Sequence, residues 1–126
     1  MVVKVVDASA VAAILFGEPE SVAVLELING HRLIAPSLIG YELANICVVK
    51  SRRNPDLRDG IVANFARRNG LGVEEHDVDF DAVARLASET GLSGYDACYL
   101  WLARDRDVVL VTLDRKLARV AEGITI

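Results

Sequence analysis

Val108-Val109-Leu110-Val111-Thr112-Leu113-Asp114 is a continuous aliphatic run that closes on a hydroxyl and a carboxylate. A run this short, with no polar alternation, is the pattern of a strand buried on both faces. Val2–Val6 reads the same way and ends on Asp7; Arg32–Ala35 is another short strand. Val73–Glu75 is a weaker one, and Ile124–Ile126 a candidate last edge strand. Helical stretches fill the gaps. Ala10–Phe16 stops at Gly17, and Pro19 opens a helix ending near Gly30. Pro36-Ser37 opens a long helix, and another runs through Asp56–Asn69. Phe80–Thr90 stops at Gly91, Ser93 opens a helix through Arg104, and Asp114–Ala121 ends at Gly123. Strands alternating with helices imply an α/β fold. Its sheet should be mostly parallel, with about five strands, right-handed crossovers and helices on both faces. Such sheets bind ligands beyond the carboxyl ends of their strands, where Asp7 and Asp114 could share a crevice.

The 126 residues fit one domain spanning 1–126. Disorder is excluded by an apolar fraction of 52%. The net charge of −4 excludes a global basic field for nucleic acid, though not a local patch. The apolar run Ala8–Phe16 falls short of the ~20 residues of a membrane helix, and Asp7 and Glu18 flank it. Lys4 and Asp7 also spoil a secretory leader. Cys47 and Cys98 make neither a metal spacing nor a disulfide framework. The expectation is a reduced, cytoplasmic protein with no membrane association.

Four carboxylates stand out. Asp7 and Asp114 each follow a strand and precede a helix, where an Asp serves equally as an N-cap. Glu42 has Leu38, Ile39, Asn45 and Ile46 as its helical neighbours, so it lies on an apolar stripe. A carboxylate buried there costs several kcal/mol unless paired, protonated or bound to a cation; an Arg from elsewhere would also satisfy it. Asp96 completes Ser93-x-x-Asp96, which fits a capping box. Its face continues through Tyr99, Leu100 and Ala103, so it also looks inward. Converging carboxylates repel by roughly 4 kcal/mol per pair at 4 Å and an effective dielectric of 20. Such a cluster needs a cation, and all-oxygen ligands without paired His or Cys point to Mg²⁺ or Mn²⁺.

Four segments occur in order along the whole chain: Val6-Asp7-Ala8-Ser9; Pro36-Ser37 with Glu42-Leu43-Ala44-Asn45; Ser93-Gly94-Tyr95-Asp96-Ala97; and Val111-Thr112-Leu113-Asp114. Together they resemble the PIN-domain ribonucleases and, at this length, the VapC-like toxins of type II toxin–antitoxin pairs. The resemblance implies a three-layer α/β/α PIN-like sandwich of about five strands and Mg²⁺-dependent endoribonuclease activity. It also implies homodimerisation and a cognate antitoxin. Asp7, Glu42, Asp96 and Asp114 match the family's acids, and Ser9 and Thr112 its supporting polar positions. Asp7, Asp96 and Asp114 are then the expected metal ligands. Glu42 would hold or deprotonate the attacking water, or bind a second metal.

Positive charge is concentrated between residues 43 and 70. Lys50, Arg52, Arg53, Arg58, Arg67 and Arg68 there face only Asp56 and Asp59, a net of +4. Arg115, Lys116 and Arg119 flank Asp114. Arg52, Arg53, Arg115 and Lys116 are candidate phosphate contacts for RNA, against the alternative of an ordinary solvated helix face. Tyr95, Tyr99 and Trp101 read as core or dimer packing, His31 and His76 as surface residues, and Cys47 and Cys98 as small core residues. A receiver-like signalling module is the rival architecture, but Asp7 has no acidic neighbour and Asp114 stands where a Lys is wanted. A non-catalytic PIN-like binding module is the rival function; it would have no need of four acids.

Overall fold

The computed structural model describes residues 2–122. The elements run β1 (Val3–Val6), α1 (Ala8–Leu15), α2 (Ser21–Ile28), β2 (Arg32–Pro36), α3 (Leu38–Arg53), α4 (Arg58–Ala66), β3 (Glu74–His76), α5 (Phe80–Thr90), α6 (Gly94–Arg106), β4 (Val109–Val111) and α7 (Arg115–Ala121). The four strands form one sheet in the order β3-β2-β1-β4, and every pairing is parallel. The expected edge strand at Ile124–Ile126 lies outside the described residues.

The strand order positions everything that follows. From β1 the chain steps to β2 and outward to β3, then returns across the sheet to pair β4 with the other side of β1. The winding therefore reverses at β1, and a crevice opens between the carboxyl ends of β1 and β4. Val6 pairs in register with Val111, so the residues immediately beyond, Asp7 and Thr112, emerge side by side.

Continuous apolar strands require cover on both faces. Val5, Val6, Ala35, Leu110 and Val111 are buried. α6 packs across β1, β2 and β4 and carries α5 and α7 beside it, while α1, α2, α3 and α4 pack as a second group. α6 buries Ala97, Tyr99, Leu100, Leu102 and Ala103. Its start is fixed from both sides. Gly91 adopts a left-handed conformation (φ +75°) that ends α5, and the Ser93 hydroxyl accepts the Asp96 backbone N–H at 3.0 Å.

Several expectations need correcting. The helix expected through Asp56–Asn69 is broken into a 3₁₀ turn at Pro55–Leu57, α4, and a second 3₁₀ turn at Arg68–Leu71. α4 has no buried residue, so no apolar stripe sustains a longer helix. Tyr95 is not core: it is 66% exposed, as is Tyr41 at 78%. Tyr99 is core, at 1% exposure, and Trp101 is half-buried against it. His31 and His76 are both half-buried rather than surface residues, His31 in the turn after α2 and His76 at the end of β3. Cys47 is buried and Cys98 half-buried.

Leu102 on α6 is fully buried, so Leu102→Ala should lower unfolding free energy by about 2–5 kcal/mol in urea denaturation. Val22→Ala, at an exposed position, should change it by less than about 0.5 kcal/mol.

Candidate active site

Asp7 sits at the join of β1 and α1 and is 5% exposed. Its Oδ1 accepts from the Ser9 hydroxyl at 2.7 Å and from the Ala10 backbone N–H at 3.0 Å, while Oδ2 accepts from the Thr112 hydroxyl. The Ser9 hydroxyl also accepts Leu113 N–H at 3.0 Å, and the Thr112 oxygen accepts Asp114 N–H at 2.9 Å. Ser9 and Thr112 thus tie the end of β1 to the segment after β4. Asp7 is the N-cap of α1 as well as a buried acid, so the two roles that its sequence position allows coincide. Of the roughly four lone-pair positions on a carboxylate, these bonds use two on Oδ1 and one on Oδ2, leaving Oδ2 one position for a cation.

Asp114 is the N-cap of α7, its Oδ1 accepting Leu117 N–H at 3.0 Å. Asp96 is half-buried in the first turn of α6. Glu42 is half-buried on α3, and its Oε1 accepts the Tyr99 hydroxyl at 2.5 Å.

The electrostatics join the four acids into a closed ring. Asp7 has a raised pKa, mainly from burial, opposed by its hydrogen bonds to Thr112, Ser9 and Ala10 and increased by the charge of Asp114. Burial likewise raises Glu42; Tyr99 lowers it in part, and Asp96 and Asp7 add to the rise. Asp96 is raised by burial and then by Asp114, with Lys116 and Ser93 pulling the other way. Repulsion therefore runs from Asp7 to Asp114, from Asp114 to Asp96, from Asp96 to Glu42 and from Glu42 back to Asp7. Tyr99 is driven far above the ordinary phenol range by burial, then by its bond to Glu42 and the nearby acids. The Cys98 thiol is raised by burial and by Glu42.

Among the described residues, no three Asp, Glu, His or Cys side chains stand close enough to hold a metal ion between them as they are. This donor set still fits a hard divalent cation. Mg²⁺ keeps several waters and takes only one or two direct carboxylates. Two clefts run along α3, and Glu42 lines the first of them. One, of about 440 Å³, is lined by Leu38, Tyr41, Glu42, Asn45, Ile46 and Tyr95. The next, of about 480 Å³, shares Asn45 and Ile46 and reaches Ser9, Leu113, Lys50 and Arg53. A cavity of about 550 Å³ between α3, α4 and β3 contains none of the four acids.

The basic candidates are not equivalent. Lys116 lies near enough to Asp96 to lower its pKa while donating to Gly91 O at 2.9 Å. Arg53 borders the cleft that reaches Ser9. Arg52, Arg53, Arg115 and Lys116 are all exposed, and Arg52 follows Glu42 by ten residues, about 15 Å along the helix, with Arg53 one residue beyond. Lys50 is engaged with Glu18 at 2.6 Å. The Tyr99 hydroxyl is what sequence reading missed. Its signal was present: a Glu on the apolar stripe of α3 and a Tyr on the apolar face of α6 each need a polar partner.

A parallel sheet with acids gathered at its reversal point defines a class of protein. The PIN domain family model matches residues 4–123, and the chain belongs to the PIN-domain family. Among curated relatives, Ribonuclease VapC3 of Pyrobaculum aerophilum is 36% identical over 121 residues, covering 90% of this chain and 91% of that protein. Exonuclease VapC9 of the same organism is 45% identical over a stretch of 47 residues, 37% of this chain and 35% of its own length. The crystal structure of PAE2754, also from Pyrobaculum aerophilum, superposes with a TM-score of 0.78 at 29% identity, covering 99% of this chain and 90% of that one.

A carboxylate with a raised folded-state pKa contributes stability that is complete below its unfolded pKa, about 3.9 for Asp. That contribution is lost as pH rises through the folded value. Asp96→Asn retains the backbone N–H that Ser93 caps and removes the charge. In metal-free buffer at pH 7 it should therefore melt at or above the wild-type temperature, and the difference should close below about pH 4. A mutant clearly less stable at pH 7 would make Asp96 a structural cap.

Proposed function

We propose that this chain is a Mg²⁺- or Mn²⁺-dependent endoribonuclease, the toxin of a type II toxin–antitoxin pair. The observation that carries the reading is Asp7, a buried carboxylate at the β1/β4 crevice fixed by Ser9, Thr112 and the Ala10 N–H, with the charges of Asp114, Asp96 and Glu42 adding to the raised pKa values of Asp7 and the groups around it. PIN-domain membership and a near full-length relative named as a ribonuclease support it.

In this reading Asp7, Asp96 and Asp114 hold the cation. Bound there, a divalent ion would neutralise a phosphoryl oxygen and lower the pKa of water toward neutrality. Asp7 offers its remaining Oδ2 position, and Ser9 and Thr112 keep the carboxylate from turning away. Glu42, raised toward neutrality by burial and by its acidic neighbours, accepts the proton of the attacking water. Lys116, beside Asp96, and Arg53, on the cleft that reaches Ser9, take phosphates, as do the exposed Arg52 and Arg115. Such contacts place the RNA without reading its sequence.

The antitoxin would present an Arg or Lys to the ring, replacing the cation's charge with its own. We further propose that the chain works as a homodimer in the cytoplasm; among the described residues no helix is long and apolar enough to cross a membrane.

Purified protein should cleave RNA with Mg²⁺ or Mn²⁺ and lose that activity in excess EDTA. Asp7→Asn and Asp96→Asn should each lower the rate by about two orders of magnitude or more with the fold retained by circular dichroism. Expression of the chain alone should arrest growth, relieved by co-expression of the neighbouring gene product. Full cleavage in EDTA, or by either folded variant, contradicts the mechanism.

A further inference from the structure

Tyr99 and Glu42 are 57 residues apart in sequence, on α6 and α3, and meet at a 2.5 Å hydrogen bond. The Tyr99 ring is 1% exposed. If packing alone set this position, Phe would serve, because a buried hydroxyl costs free energy unless it is paired. The hydroxyl donates to Glu42 Oε1, and the backbone N–H of Ala8, the residue directly after Asp7, acts to lower the phenol's pKa. The phenol therefore ties α6 to the side chain of one acid. Glu42 has a flexible side chain, and the charges of Asp96 and Asp7 oppose its own. An open cleft lies beside it, into which it would otherwise swing. The bond to Oε1 holds the carboxylate back and leaves Oε2 for the cleft.

We infer that Tyr99 is a positioning residue: its buried hydroxyl, carried on α6, holds the Glu42 carboxylate beside Asp7 and Asp96 against their repulsion. The inference rests on the nuclease reading above, since holding Glu42 there serves a reaction only if that carboxylate takes part in one.

The test compares wild type, Tyr99→Phe, Glu42→Gln and the double variant on an RNA oligonucleotide carrying the wild type's mapped cut site. Tyr99→Phe should lower kcat by about tenfold to a hundredfold, with KM within about twofold. In the Glu42→Gln background the same substitution should change residual kcat by less than about twofold. A second readout needs neither metal nor RNA. Tyr99→Phe should lower the melting temperature of the wild type and lower that of Glu42→Ala by clearly less. Wild-type kcat in Tyr99→Phe alongside an impaired Glu42→Gln overturns the inference and leaves the nuclease reading standing. Full activity of Glu42→Gln removes Glu42 from the reaction and overturns its role together with the inference. Equal melting losses in both backgrounds, or an unfolded Tyr99→Phe, make the hydroxyl a support of the fold and also overturn it.

Discussion

Asp7 is a carboxylate placed almost out of reach of water, and the site is built around making that tolerable. Burying an unpaired charge costs far more than a domain's whole stability margin allows. Three donors reduce that cost: the Ser9 hydroxyl, the Ala10 N–H and the Thr112 hydroxyl. Two come from the start of the helix that Asp7 itself caps. The third comes from the far end of the chain, 105 residues away, brought alongside by the pairing of Val6 with Val111. The same bonds that stabilise the charge therefore lock β1 to the segment after β4 and set where Asp114 begins α7.

That compensation is incomplete by construction. The donors to Asp7 pull its pKa down, yet burial and the charge of Asp114 keep it raised. Glu42 and Asp96 show the same balance, each with one hydrogen-bonding partner working against desolvation and neighbouring acids. Lys116 is a cation near these acids and lowers the pKa of Asp96. The raised pKa values of Asp7, Glu42 and Asp96 mean that their ionisation works against the fold at neutral pH, and in the proposed metal site a bound cation would relieve that cost.

The aliphatic strands Val2–Val6 and Val108–Thr112 were legible because a doubly covered parallel strand has no polar alternation to confuse it. The acids were legible because two follow strand ends and two break apolar helical faces. β3 was marginal: Glu74–His76 is short and largely exposed, and appears one residue later than Val73–Glu75. The broken helix around α4 was hidden because its composition is helical while its packing is not. Tyr99 meeting Glu42 depends on how α3 and α6 cross the sheet, which no local pattern encodes. The 66% exposure of Tyr95 is likewise set by tertiary packing; its apolar helix suggested core or dimer packing.

The central claim is that Asp7, Glu42, Asp96 and Asp114 form a divalent-cation site that the free protein holds under electrostatic tension. Calorimetric titration of Mn²⁺ into metal-free protein tests it without reference to any substrate. The account predicts saturable binding to the wild type, weakened at least about tenfold by Asp7→Asn and by Asp96→Asn. Folded wild type that shows no saturable binding, or both variants binding with unchanged affinity, would contradict it.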